Sequence, residues 1–116
     1  MFTQNFHGVM KCYLKPGTPH CGPVVADHPI RQEFHVAVNV HYPSHVQLDE
    51  NGFLLDNTYF RDYFDSFCMC QISCSCEQLA DLMAHDIARD ASQWHAHVKV
   101  SITPVAGVTM AATAGA

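Results

Sequence analysis

Basic residues are scarce in this sequence. It has six Lys and Arg against eleven Asp and Glu, a formal net charge of -5 when histidine is neutral. Binding to nucleic acid or to an anionic membrane relies on clustered positive charge. We therefore expect neither a nucleic acid nor a membrane as a partner. The nine histidines change this balance at acidic pH, because histidine gains charge as the pH falls.

Long hydrophobic runs are also missing. No apolar stretch reaches the roughly 18 residues that a membrane-spanning helix needs. Residues 1–13 lack the basic stretch and apolar core that are typical of a signal peptide. Both absences favour a cytoplasmic location, where thiols stay reduced. We therefore expect the six cysteines to be reduced.

The length and the residue pattern predict a single domain over residues 1–116. Stretches in which apolar and polar residues alternate are typical of strands with one buried face. Four such stretches occur, at residues 2–14, 34–42, 97–103 and about 108–113. In the second, for example, Phe34, Val36, Val38 and Val40 alternate with polar or small residues.

Two helices are predicted between the second and third strands. Asp56 is a candidate N-cap for the first, whose apolar stripe is Tyr59, Phe60, Tyr63, Phe64 and Phe67. Ser75 and Gln78 have the spacing of a capping box for the second. We expect the apolar face of this second helix to comprise Leu79, Leu82, Met83 and Ile87.

The predicted order is ββααββ, which indicates an α+β fold: a four-stranded antiparallel sheet with two helices packed on one face. The other face of the sheet would be polar. It would present His7, His35, Asn39, His41, Lys99 and Ser101.

Three short motifs resemble the tunnelling-fold (T-fold) superfamily, which includes 6-pyruvoyl tetrahydropterin synthase, 6-carboxytetrahydropterin synthase and dihydroneopterin aldolase. Residues 52–56 (GFLLD) resemble the G-x-[VL]-x-D entry into the first helix of the synthases. Residues 75–80 (SCEQLA) resemble the T-S-E-x-L-A and L-x-E-x-L-A starts of the second helix in synthases and aldolases. Residues 98–104 (VKVSITP) resemble the third strand of these enzymes, which ends in E-T-P in synthases and in K-P in aldolases.

The chain departs from this family at its catalytic positions. Ile30, Arg31 and Gln32 occupy the place of the H-G-H zinc ligands of the synthases. Ser66 replaces the histidine of their Asp-His pair, and Ile102 replaces their pterin-anchoring glutamate. The sequence therefore predicts neither a synthase-type zinc site nor a cofactor, and it leaves open whether the chain is an enzyme.

The resemblance implies two candidate ligand-binding residues, Glu77 and Thr103. Glu77 matches the aldolase glutamate that accepts hydrogen bonds from the guanidine-like edge of the pterin, and a carboxylate can accept two parallel N–H donors there. Thr103 stands where the aldolases have the lysine before proline. An acidic residue in a first helical turn is also favoured by the helix dipole alone, so Glu77 has a second explanation.

The segment 15–29 is a long loop with four of the six prolines. Its Cys21 lies in a His-Cys-Gly sequence that resembles the surroundings of the catalytic cysteine in bacterial carboxytetrahydropterin synthases. A reactive thiol needs a basic neighbour, so His20 and His28 complete the candidate catalytic set. The alternative is a loop cysteine without a role.

Two groups of residues raise the question of a metal. Neutral imidazoles suit zinc, but histidines at strand spacing are more often exposed surface residues; the candidates are His7, His28, His35 and His41. Dense thiols suit soft metals, although C-x-C-x3-C-x-C is not the spacing of a zinc ribbon; these are Cys68, Cys70, Cys74 and Cys76. We expect no metal at either group.

Three functional hypotheses follow. In the first, a divergent T-fold synthase or aldolase binds a pterin, purine or related heterocycle at a subunit interface. In the second, a T-fold oligomer has a non-catalytic structural or binding role. In the third, the chain is a thiol-rich metal-binding module. The first two require a cyclic homo-oligomer, and the resemblance implies that the second and fourth strands are the sheet edges that join its subunits.

Overall fold

A computed structural model of the protein describes residues 2–14, 30–43, 55–73, 75–104 and 110–115. Their elements, in chain order, are β1 (Phe2–Leu14), β2 (Ile30–Tyr42), α1 (Asn57–Asp65), β3 (Gln71–Ile72), α2 (Cys76–Asp90), a 3-10 turn (Ser92–Trp94), β4 (His97–Pro104) and β5 (Met110–Gly115).

One sheet contains all five described strands, in the order β3-β1-β2-β4-β5. The four long strands pair antiparallel, and the two-residue β3 pairs parallel to the end of β1. The predicted α+β class, with an antiparallel four-stranded sheet and two helices, is confirmed. β3 was not predicted, because two residues are too few to show an alternation.

The strand order corrects one expectation. β2 is central, paired with β1 over its whole length and with β4 over residues 34–41, so it is not an edge. The edges are β5, as expected, and β1 beyond its short contact with β3. Strands that follow each other in the chain usually pair, and β1 and β2 obey this rule.

The core lies between the helices and one face of the sheet. The alternation explains its composition, since successive side chains of a strand point to opposite faces. The buried strand residues are the even-numbered residues 10 and 12 of β1, 34–42 of β2 and 98–102 of β4. They pack with residues from both helices, including Phe60, Phe64, Leu79 and Met83. We call the opposite face, which no described helix covers, the open face.

Both predicted helix starts are confirmed. The Asp56 carboxylate accepts the backbone N–H of Tyr59 at 2.8 Å and caps α1. Ser75 and Gln78 form a reciprocal capping box at the start of α2, with distances of 3.2 and 3.0 Å. The predicted apolar face of α2 needs one change: Leu82 is half-exposed, and Ala80 and Ala84 are buried instead.

Aromatic residues join α1 to its neighbours. The Phe6 ring of β1 stacks on Phe60 and Phe64, at centroid distances of 5.1 and 5.9 Å. It also covers Gly8, where an added Cβ would lie 2.8 Å from the ring, so glycine makes room for this stack. On the outer side of α1, the Tyr63 hydroxyl donates to Asp86 of α2 at 2.8 Å.

The cysteines depart from the expectation that all are reduced. Cys12, Cys68 and Cys70 are not in disulfides. Cys76, buried at the start of α2, is disulfide-bonded. A disulfide requires two Cβ atoms about 4 Å apart, and the spacing of cysteines in the sequence does not give that distance.

None of the helices within the described residues is both long enough and apolar enough to cross a membrane.

Candidate functional site

Glu77 lies at one end of the sheet, which we call the Pro104 end. α2 packs on β4 and is separated from it only by a short turn, so the two elements run in opposite directions. The start of α2 is therefore near the last residue of β4, Pro104. The same end holds Phe34, which pairs with Pro104, and the end of β1, which pairs with β3.

The Glu77 side chain is exposed in the first turn of α2. Its carboxylate takes part in none of the ion pairs that the described residues form; these join Lys11 to Glu33, Asp81 to His85 and Asp86 to Arg89. The capping box beside it satisfies the backbone through Ser75 and Gln78, so Glu77 is not the cap. This carboxylate is therefore available to accept donors from outside the described chain.

Thr103 lies at the same end but on a different layer. It is half-buried on the open face, opposite His35 of β2, whereas Glu77 belongs to the helix layer. The structure thus brings the two candidate ligand-binding residues to one end of the sheet without placing them on one surface. A ligand that contacts both would have to reach around the sheet or lie between neighbouring copies of the chain.

The candidate catalytic residues Cys21, His20 and His28 lie outside the described residues. The residues on either side of their segment, Leu14 and Ile30, pair with each other at the Pro104 end.

The histidines considered as metal ligands do not converge. His7, His35 and His41 are all exposed on the open face, as predicted. His35 and His41 are six residues apart on β2, which corresponds to about 20 Å along a strand. His28 lies outside the described ranges. Within those ranges no group of three or more His, Cys, Asp or Glu side chains is arranged to hold a metal.

The cysteine group also lacks the arrangement of a metal site among its described members. Cys70 is exposed, and its thiol lies 3.3 Å from the carbonyl oxygen of Ser66. Cys76 is buried and disulfide-bonded, so it cannot provide a thiolate. Cys74 is outside the described residues.

A polar cluster that the sequence analysis did not single out lies at the opposite end of the sheet. His41 of β2 and His97 of β4 are directly paired, and Lys99 pairs with Thr113 of β5. They line a cleft of about 400 Å³. The alternation in β2 and β4 places these side chains on one face, but only the strand register shows that they are neighbours. We call these four residues the His41–Thr113 cluster.

A second cleft, of about 600 Å³, lies along the β1 edge of the sheet. Asn5, His7 and Val9 line it from the strand, and Arg61 and Asp65 line it from α1. Its apolar floor includes Phe6 and Phe64, so it continues into the aromatic stack.

Comparisons with known protein families, with curated proteins and with solved structures found no match for this chain.

Proposed function

We propose that this chain is a T-fold-like protein that assembles into a ring and binds a pterin, purine or related heterocycle at a subunit boundary through Glu77. The observation that carries the proposal is the exposed Glu77 carboxylate, outside the ion pairs of the described chain, at a helix start where the motif resemblance places a ligand anchor. A carboxylate in this position accepts two parallel N–H bonds from an amidine or guanidine edge.

The edges of the sheet support the assembly. Tyr13 donates its N–H to Cys70 on the side away from β2, at 2.9 Å. By the alternation of a strand, the backbone groups of the odd-numbered residues 3–11 point to that same side, where no described strand pairs with them. At the other edge, β5 has neither a charged residue nor a proline to discourage pairing. Joining β1 of one copy to β5 of the next would continue the sheet around a ring.

Assembly and ligand binding are tested separately. Light scattering at micromolar concentration should give a mass several times the 12.9 kDa of one chain. A monomer at that concentration would contradict both the ring and a site at its subunit boundaries.

For the ligand, neopterin and guanine are suitable probes in calorimetric titrations. Glu77→Gln keeps the shape of the side chain but loses the charge-assisted bonds, which are worth about 1.5–3 kcal/mol, so affinity should fall about 10- to 150-fold. Asp81→Asn is the matched control, because Asp81 is an exposed carboxylate one turn further along α2. Equal affinity of Glu77→Gln and the unmodified protein would show that Glu77 is not the anchor.

The alternative is a structural or binding oligomer without this ligand. It is favoured by Ile30, Gln32, Ser66 and Ile102 at the positions where the resembling enzymes have catalytic side chains. A ring that binds neither probe would support it. The third hypothesis, a thiol-rich metal-binding module, has little support because Cys76 is disulfide-bonded.

A further inference from the structure

Charge is divided unequally between the two sides of the sheet. Every described carboxylate except Glu33 lies in a helix or at its start. On the open face Glu33 is already within 3.4 Å of the Lys11 ammonium. Apart from Tyr13, the other ionisable side chains described on that face are basic or can become so: His7, His35, His41, His97 and Lys99. A chain with a net negative charge thus has one face that favours anions.

The hydrogen-bond donors of the open face are concentrated in the His41–Thr113 cluster. His41 and His97 lie directly opposite each other on neighbouring strands, a pairing in which the two Cβ atoms are about 5 Å apart. Lys99 is two residues beyond His97, on the same face, and the Thr113 hydroxyl is beside it. Two imidazoles, an ammonium and a hydroxyl therefore surround one cleft of about 400 Å³.

Two neighbours of the cluster shape its surroundings. The Thr3 hydroxyl lies 2.9 Å from Nδ1 of His41, which fixes the direction of that ring. Gly115 pairs with His97 at φ +148°, and an added Cβ would lie 2.8 Å from the His97 Cα. Glycine therefore lets β5 lie close to the backbone of β4 beside His97.

We propose that the His41–Thr113 cluster binds the phosphate group of a small oxyanion ligand, and that binding strengthens as the pH falls. Lys99 supplies a fixed positive charge, Thr113 a hydroxyl donor, and His41 and His97 become cationic donors on protonation. Lysine and protonated histidine form strong charge-assisted bonds to phosphate oxygens. A cation is a poorer occupant of this cleft because Lys99 would repel it.

The surrounding charges agree with this ligand. Glu33 is eight residues from His41 along β2, about 26 Å away. At the His41 end of the sheet the nearby carboxylates Asp86 and Asp90 belong to the helix side, where they accept hydrogen bonds from Tyr63 and Tyr59. His95, just before β4, is exposed and adds no negative charge. No described carboxylate therefore shares the open face with the cluster at this end.

This inference goes beyond the proposed function and does not depend on it, because Glu77 lies at the other end of the sheet. The test follows the histidine ring resonances of the full chain by NMR while inorganic phosphate replaces chloride at constant ionic strength. We expect saturable shifts centred on His41 and His97. A parallel series with sulfate, which stays a dianion over this range whereas phosphate takes up a proton, should show an affinity about tenfold higher near pH 5.5 than near pH 8. A parallel titration with phenyl phosphate distinguishes an ester phosphate from free phosphate, and saturable shifts with either one support the proposal.

Variants locate the site. Lys99→Gln should weaken phosphate binding about tenfold, and replacing both histidines (His41→Gln with His97→Gln) should remove most of the pH dependence. Lys11→Gln is the matched control, since it removes the same charge from the same face far from the cluster, and Glu77→Gln tests independence from the proposed heterocycle site. Neither should change phosphate binding.

Three results would overturn the proposal. In a separate titration, shifts of the same size on adding sodium chloride alone would show only general screening. Equal weakening by Lys11→Gln and Lys99→Gln would show attraction to the whole face rather than to a site. Stoichiometric Zn²⁺ binding that shifts the two histidines and becomes tighter in Lys99→Gln, without a response to phosphate, would identify a cation site instead.

Discussion

Residues 98–102 of β4 show the two faces of the sheet side by side. Val98, Val100 and Ile102 are buried against the helices, whereas Lys99 and Ser101 lie on the open face. The buried face is held by packing, in which each residue depends on many neighbours. No described helix covers the open face, so we expect its exposed residues to change with little effect on folding. We therefore expect stability to depend on the first face and binding on the second.

The largest expected effect is in β4, where two adjacent residues that lie on opposite faces of the sheet are each replaced by alanine. Ile102→Ala should lower the free energy of unfolding by about 2–5 kcal/mol, because it removes buried methyl groups and leaves a cavity. Ser101→Ala, one residue away on the open face, should stay within about 0.5 kcal/mol. Chemical denaturation of both variants measures the contrast. Similar losses would mean that the open face is also packed, as it would be under a partner.

A smaller effect is expected where α1 meets α2. Tyr63→Phe removes the hydrogen bond to Asp86 and should cost about 1 kcal/mol at neutral pH. Burial, helped by this bond, raises the pKa of Tyr63 above its ordinary value of 10.0. The folded state therefore holds this proton more tightly than the unfolded state does. Its contribution is complete below about pH 10 and is lost as the pH rises above that value.

Unfolding measured from neutral to alkaline pH checks both parts of this prediction. The Tyr63→Phe protein should be less stable at neutral pH and should lose stability less steeply above about pH 10. Tyr59→Phe is a useful comparison, because burial and the bond to Asp90 also raise the pKa of Tyr59. An alkaline slope unchanged by Tyr63→Phe would contradict the prediction.

The smallest effect is expected on the open face. The Lys11 ammonium lies 3.4 Å from the Glu33 carboxylate, and both side chains are about half exposed. Such surface ion pairs contribute about 0–1 kcal/mol to stability. Lys11→Gln should therefore change stability by less than about 0.5 kcal/mol, and added salt should reduce even this difference. A loss comparable to that of Ile102→Ala would show that the pair is buried by an assembly.

The elements of the fold were largely predictable because they depend on local patterns. The alternation predicted the bounds of β1 as the structure has them, and the caps at Asp56 and Ser75 marked both helix starts. The prediction of the buried face of α2 was wrong at one position: Leu82 is half-exposed, and Ala80 and Ala84 are buried. Residue type alone does not say which edge of an apolar stripe meets the sheet.

The candidate sites were less predictable, because they combine residues that are distant in the chain. Glu77 was identified through a motif, but its separation from Thr103 by the thickness of the sheet appears only in the fold. The pairing of His41 with His97 depends on the register between β2 and β4. A shift of that register by two residues would keep both side chains on the open face and still separate them.

Local residue patterns and composition were enough to predict which stretches form strands and helices, which side of each is apolar, and that basic residues are few. These properties follow from the period of the side chains and from composition, so they need no knowledge of distant contacts. The fold was needed to show that β2 is central and that two histidines, a lysine and a threonine meet at one cleft. Each of these depends on how chain segments pair in space, and many pairings are compatible with the same local pattern.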